Sequence, residues 1–404
     1  MQQETSKKPQ GALAGTRVID LSRVLAGPLA AQILSDHGAE VIKVEPPQGD
    51  ETRTLGPPFI EESAAYYHAL NRNKRGIALD LSKPAAREVL FRLLADADIL
   101  VENFLPGTME GWGLGYDEVL SKRFPRLIYC RISGFGMDGP LGGLPGYDAV
   151  LQAQCGLMSV NGHPDTGKTR IGIALVDIST GMSSTIGILL ALAERHRSGR
   201  GQLVDLSLYD VGLSLLIPHA ANWIASHREP KLNGSGHPNL APYDKYRTTD
   251  GEIFLGVVND GQFRKLCRAL GRDELGGDPR FRTNPDRVAN RAVLRSEIET
   301  ILAGRQSAEL CASLMAVGVP AGPVNSVPEA MMHPQTTERG MAVELDGYRG
   351  IGIPARLSRT PGAPQRRPPK FAEHTHTVLA EAGYSEDAIA QLVEAGAVLE
   401  KPRR

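Results

Sequence analysis

Asp177 stands where an apolar run read as a strand, IGIALV (171–176), gives way to a long helical pattern, DISTGMSSTIGILLALAERH. A carboxylate there would meet unpaired N–H groups and the positive end of the helix dipole, which hold it ionised. Two uses fit: an N-cap, or an anionic nucleophile able to attack an acyl carbon. Two phosphate-loop patterns also match formally. GHPDTGKT (162–169) satisfies G-x-x-x-x-G-K-[ST], so a P-loop NTPase is one reading, with Lys168 reaching a nucleotide phosphate. Its surroundings oppose this, because the run RIGIALVD follows where a helix should open and Pro164 interrupts the loop. GFGMDG (134–139) matches G-x-G-x-x-G after a strand, but Pro140 prevents a helix from starting. What remains is a flexible loop at a strand end, a usual place for ligands in open α/β sheets. The ten histidines are scattered, and His374 and His376 have no nearby Cys or acid at metal-ligand spacing. No Ser-His-Asp arrangement or nucleophile elbow competes with Asp177.

The elements that must position these residues alternate. TRVIDLS (16–22), EVIKVEP (40–46), RGIALDL (75–81), ILVENF (99–104), RLIYCRIS (126–133) and QLVDLSLYD (202–210) are strand-like. Helical patterns over about 28–37, 84–96 and 177–198 separate some of them. That alternation predicts an α/β fold with parallel strands and crossover helices. Pro84 suits a first helical turn, and Val89, Leu90, Leu93 and Leu94 recur at helical spacing. The 404 residues exceed the usual size of one core, and a Gly/Pro/Asn/Asp-rich stretch at 228–250 marks a boundary. The expected division is 1–225, a small domain at 226–325, and a return segment at 326–404 that completes the first. Forty-five basic against forty-six acidic residues leave a net charge of −1, which gives no footprint for nucleic acid. The polar start lacks a signal-peptide core, and no stretch is read as reaching the roughly 18 apolar residues of a membrane span. A cytoplasmic location is the expectation. Cys130, Cys155, Cys267 and Cys311 lie far apart among apolar neighbours and read as core thiols.

Ordered motifs then carry a resemblance over nearly the whole chain: RVIDLSRVLAGPLA (17–30), AEVIKVEPPQGD (39–50), NRNKRGIALDL (71–81), VENFLPG (101–107), SGFGMDGP (133–140), GYDAVLQAQCGLM (146–158), DISTG (177–181) and GVPAGPVN (318–325). The sequence resembles the family III CoA-transferases, of the CaiB/BaiF type, which include formyl-CoA and succinate–hydroxymethylglutarate CoA-transferases and the α-methylacyl-CoA racemases. The resemblance implies a Rossmann-like large domain built from both chain ends plus a smaller α/β domain, in an interlocked, ring-like homodimer. It implies that Asp177 is the nucleophile, that coenzyme A thioesters are substrates, and that no metal or prosthetic group takes part. It places CoA contacts at Val24, Leu25, Ala26, Leu79, Asp80, Leu81, Ser82, Asn103, Phe104, Phe135 and Gly136. Family members often carry a basic residue where this chain has Pro46 and Gly111, so Lys74, Arg75 or Arg53 would compensate or would simply form a solvated cationic surface. The racemase alternative requires a histidine where this chain has Tyr147, between Gly146 and Asp148, and a phenol is a poor base at neutral pH. Within the family, RVLAGP, DETRTLGPPF, HAANW and LAPYDKYRTTDGEI resemble the succinate–hydroxymethylglutarate type, which implies succinyl-CoA as donor and a dicarboxylate as acceptor. A distal carboxylate needs a cation, and Arg53 and Arg170 are the candidates.

Overall fold

The computed structural model describes residues 11–403. Among them the predicted alternation forms a six-stranded sheet: β1 Arg17–Asp20, β2 Glu40–Glu45, β3 Lys74–Ala78, β4 Ile99–Glu102, β5 Ile128–Ser133 and β6 Leu203–Ser207. The strands lie in the order β3-β2-β1-β4-β5-β6, and every neighbouring pair is parallel. Parallel neighbours cannot be joined by tight turns, and helices fill the crossovers: α1 Ala26–Asp36, α2 Ala65–Leu70, α3 Pro84–Leu94, α4 Asp148–Gln154 and α5 Leu175–Ser198. The winding reverses between β1 and β4. The loops that leave their carboxyl ends therefore diverge and open a crevice.

Pro84 sits at the start of α3, where a missing N–H costs nothing, and the helix buries Val89, Leu90, Leu93 and Leu94. These pack with Ile19, Ile42, Ile77 and Leu100 of the strands, each burial contributing about 1.5–3 kcal/mol. The chain returns to the same core through helices Thr375–Glu381 and Glu386–Glu394, which supply Val378, Leu379 and Ile389. Leu79 pairs with Val398 in an antiparallel bridge. The large domain is thus an α/β unit assembled from both ends of the sequence.

The described residues divide into two units. One takes in the chain up to Cys155, then Gly172–Leu215 and everything from Pro334; the other is Gly156–Ile171 with Leu216–His333. The second unit differs from the expected 226–325. It runs from 216 to 333 and also holds the 156–171 excursion, because Gly234 N–H donates to Gly162 O at 3.0 Å and ties that excursion to it. Its own core surrounds an antiparallel sheet of Tyr243–Arg247, Glu252–Gly256 and Ala321–Pro323, with Ile253, Leu255, Phe263 and Ile298 at the centre.

Three other expectations change. The GHPDTGKT segment is a hairpin, with Gly162–His163 paired to Gly167–Lys168, and 169–174 is irregular, so no helix N-terminus stands beyond Lys168 to face a phosphate. The IGIALV run is not a strand either, since α5 already begins at Leu175. Finally, α5 is long and apolar enough, by length and composition, to cross a membrane. Here Val176, Ser184, Ile188 and Ala191 are buried within the first unit. All four cysteines are buried, and none is in a disulfide.

Candidate active site

Helix α5 begins without a capping side chain of its own, because its N-cap residue is Ala174. Asp148, the first residue of α4, does the capping from outside. Its Oδ2 accepts the N–H groups of Val176 (2.8 Å) and Asp177 (3.3 Å), and its Oδ1 accepts Gln152 Nε2 at 2.7 Å. The backbone amide of Asp177 is thereby held by a second, almost fully buried carboxylate. Burial, and then the charge of Asp148, push the Asp177 carboxyl up to about 7. This corrects the expectation that the helix end keeps it firmly ionised: at neutral pH it is poised between its two forms. A carboxylate deprived of solvation is also a stronger nucleophile toward an acyl carbon.

Asp177 lines a cavity of about 250 Å³ at the crevice between β1 and β4. Val24, Leu25 and Ala26 enter from the loop after β1, and Asn103, Phe104 and Leu105 from the loop after β4. Asn103 couples the two loops. Its Oδ1 accepts Arg23 N–H and its Nδ2 donates to Arg23 O, both at 2.8 Å. These two bonds use one of its two Nδ2 N–H groups and position the loop. Val24 has φ +66°, a left-handed conformation that is strained for a β-branched residue. Its N–H donates to Asp50 Oδ1 at 3.3 Å. Burial works to raise the Asp50 carboxyl, but Lys43 at 2.9 Å and Thr52 hold it at about 2. A fully buried ion pair thus anchors the strained loop that faces Asp177. Strain of this kind persists where the surroundings over-determine it, commonly at ligand sites.

The loop after β5 contributes Ser133 and Gly134 to the cavity, followed by Gly146 and Tyr147. Phe135 and Gly136 stand beside these lining residues rather than among them. Phe135 packs on Tyr209 with centroids 6.0 Å apart, and Gly136, at φ +87°, donates its N–H to Ser133 Oγ at 3.0 Å. A second cavity, of about 480 Å³, is lined by Leu79, Asp80, Leu81 and Ser82. Arg23, Phe104 and Leu105 line both cavities, so the two adjoin.

The cations expected to serve substrate are mostly engaged elsewhere. Lys74 is fully buried, donating to Asp20 Oδ2 (2.9 Å), Pro28 O (2.8 Å) and Asn71 Oδ1 (2.9 Å), which uses all three of its N–H bonds. Arg75 pairs with Glu40 and Glu381. Arg53 forks onto Glu45 at 2.6 and 2.8 Å and stacks 3.7 Å above the Tyr67 ring, so it is locked into the core. Arg170 is exposed and belongs to the second unit. Among the described residues that line the Asp177 cavity, Arg23 is the only cation. Two participants escaped the sequence reading. Asp148 was visible only as part of GYD, and nothing marked it as a cap for a helix 27 residues further on. Tyr66 of α2 is pushed up to about 12 by burial and then by the charges of Asp177, Asp148 and Asp50. No local pattern signals that. His374 and His376 are structural: His374 Nδ1 accepts Gly76 N–H, and His376 lies 2.7 Å from Glu400.

Comparison with known proteins agrees with this arrangement. The sequence model of CoA-transferase family III matches residues 13–375. A succinate–glutarate CoA-transferase of Agrobacterium fabrum is 43% identical over 388 residues, covering 93% of this chain and 96% of that protein. The succinyl-CoA:glutarate CoA-transferase of Homo sapiens is 37% identical, covering 96% and 90%. A crystal structure of a CAIB/BAIF family protein from Brucella suis superposes with a TM-score of 0.84 at 44% identity, covering 93% of this chain and all of that one. With a carboxylate at the crevice of a Rossmann-like sheet and a match over nearly the full chain, the chain belongs to CoA-transferase family III and is an enzyme acting on CoA thioesters.

Proposed function

We propose that the enzyme moves CoA from succinyl-CoA to a small dicarboxylate of the glutarate kind, with Asp177 as covalent nucleophile. The observation that carries the mechanism is the placement of Asp177: a poorly solvated carboxylate lining a cavity at the switch point of the sheet, poised near neutrality. Its ionised form attacks the donor acyl carbon and expels CoA thiolate, leaving a mixed anhydride. The thiolate attacks the Asp177 carbonyl, releases the donor acid, and leaves an aspartyl-CoA thioester. The acceptor carboxylate then attacks that thioester, and the thiolate finally takes the acceptor acyl group and frees Asp177. Each step exchanges one anion for another, so no net proton moves and no separate base is needed. Arg23 lines the same cavity; its Nη1 donates to Glu51 Oε1 at 2.9 Å, and its remaining N–H bonds serve an acid substrate in place of Arg53 or Arg170. The names of the relatives in Agrobacterium and in human support the choice of acids. Tyr147 in the position a racemase would fill with histidine speaks against proton exchange.

The test is Asp177→Asn assayed against a panel of donors and acceptors by mass spectrometry. Wild type is expected to prefer succinyl-CoA with a C5 diacid, and the variant to lose at least a thousandfold in turnover while keeping its fold and its affinity for CoA. Wild-type turnover by the variant would remove the mechanism, and a preference for monocarboxylates would remove the substrate assignment alone.

A further inference from the structure

We propose that Arg403, supported by Lys83, binds a phosphate at the nucleotide end of the CoA thioester; this rests on the reading that Asp177 takes the acyl group. CoA carries its thiol at one end and its phosphates at the other. A thioester seated at Asp177 therefore extends its nucleotide away from that cavity, and the adjoining 480 Å³ cavity is reached past Arg23, Phe104 and Leu105. Two features there suit a phosphorylated nucleotide. Phe104 and Trp112 meet edge to face at 5.2 Å and both line the cavity, which gives a base an apolar surface.

The second feature is cationic. Arg403 lines the same cavity and is fastened at three points: its backbone N–H to Pro47 O (2.8 Å), Nη1 to Asp80 Oδ2 (2.8 Å) and Nη2 to Gly396 O (2.9 Å). A guanidinium has five N–H bonds, so the fastening leaves donors over, and the side chain is 44% exposed. Lys83 Nζ donates to Ala395 O, the residue before Gly396. A Cβ on Gly396 would lie 2.7 Å from Arg403 Nη2 and 3.0 Å from Lys83 Nζ, so two like charges are gathered about one point. The carbonyls ending helix Glu386–Glu394 attract cations, and Asp80 answers one of the charges. A phosphate would answer the charge that remains. The guanidinium fork matches phosphate oxygens, and its three anchors pre-pay the cost of ordering it.

Steady-state kinetics of the full-length enzyme decide the matter, using succinyl-CoA, its 3′-dephospho form and succinyl-pantetheine as donors. Arg403→Gln is expected to raise KM for succinyl-CoA about tenfold, with Lys83→Gln weaker and Arg403→Lys intermediate. Against succinyl-pantetheine, which has no phosphate ester, Arg403→Gln and wild type should share one KM. Loss of the effect with the 3′-dephospho donor assigns the 3′-phosphate, and its persistence assigns the diphosphate; either supports the proposal. An unchanged KM for succinyl-CoA, or an equal penalty on the pantetheine ester, overturns it and leaves Arg403 as a structural tie. Should Arg403→Gln fail to fold by circular dichroism, Arg403→Lys and Lys83→Gln carry the same comparison. Wild type inactive with all three donors would instead defeat the proposed succinyl-transfer function on which the assignment rests.

Discussion

At Asp177 two influences act in the same direction: burial and the neighbouring Asp148 both favour the protonated carboxyl. The proposed nucleophile is the ionised form, so kcat/KM for the acyl-CoA should rise with pH, levelling above about 7 and falling about tenfold per unit below it. Removing one charge should move that midpoint. Asp148→Asn keeps an oxygen that can accept the Val176 N–H but deletes the repulsion, and its profile should break at lower pH than wild type. An unmoved midpoint in a pH–rate series would show that burial alone sets it. In the sequence Asp177 was distinguishable from an ordinary N-cap only through the resemblance around it, since a helix-start aspartate is a common feature. Its capping partner and Tyr66 were not legible, because both are brought to it from separate elements.

Element packing explains the glycine of DISTG. A Cβ on Gly181 would lie 2.7 Å from Ala26 O and 3.2 Å from Leu29 Cβ, so α5 can approach α1 only because that side chain is missing. Gly181 is one helical turn beyond Asp177, and α1 begins in the loop that faces it. Gly181→Ala should therefore cost about 1–3 kcal/mol by overpacking, read from urea denaturation. It should also lower kcat by displacing the first turn of α5 from the cavity. Wild-type stability together with wild-type kcat would mean that the close approach is not needed. The strand and helix pattern of this region was readable from periodicity. The irregular 169–174 stretch was not, because an apolar run of that length suits a strand as well as the approach to a helix.

For the whole molecule, the outer face of α5 bears on the homodimer expected from the family. Met182, Ile186, Leu189 and Leu190 are exposed by 49%, 59%, 41% and 67%, and their spacing puts them on one side of the helix. A contiguous apolar row of this kind calls for a cover, and a second copy of the chain is the proposed one. Sedimentation should give wild type the mass of two chains. Ile186→Glu with Leu190→Glu should give one chain with an unchanged circular dichroism spectrum. A monomeric wild type would end the proposal.

The sequence by itself determined the α/β class, the strand and helix periodicity and the family, and singled out Asp177 as the proposed nucleophile, because each is written in residues adjacent along the chain. Which cations are available to substrate was decided only by the tertiary structure. Lys74 and Arg53 have the right chemistry, yet Lys74 on β3 reaches across β2 to Asp20 on β1 and folding closes Arg53 onto Glu45, and a buried charge must spend its donors on such partners. Arg403, some 320 positions from Asp80 in sequence, reaches the second cavity because the chain returns to the first sheet's core. The crevice follows the same logic: short-range patterns create strands, but strand order alone sets where their loops diverge.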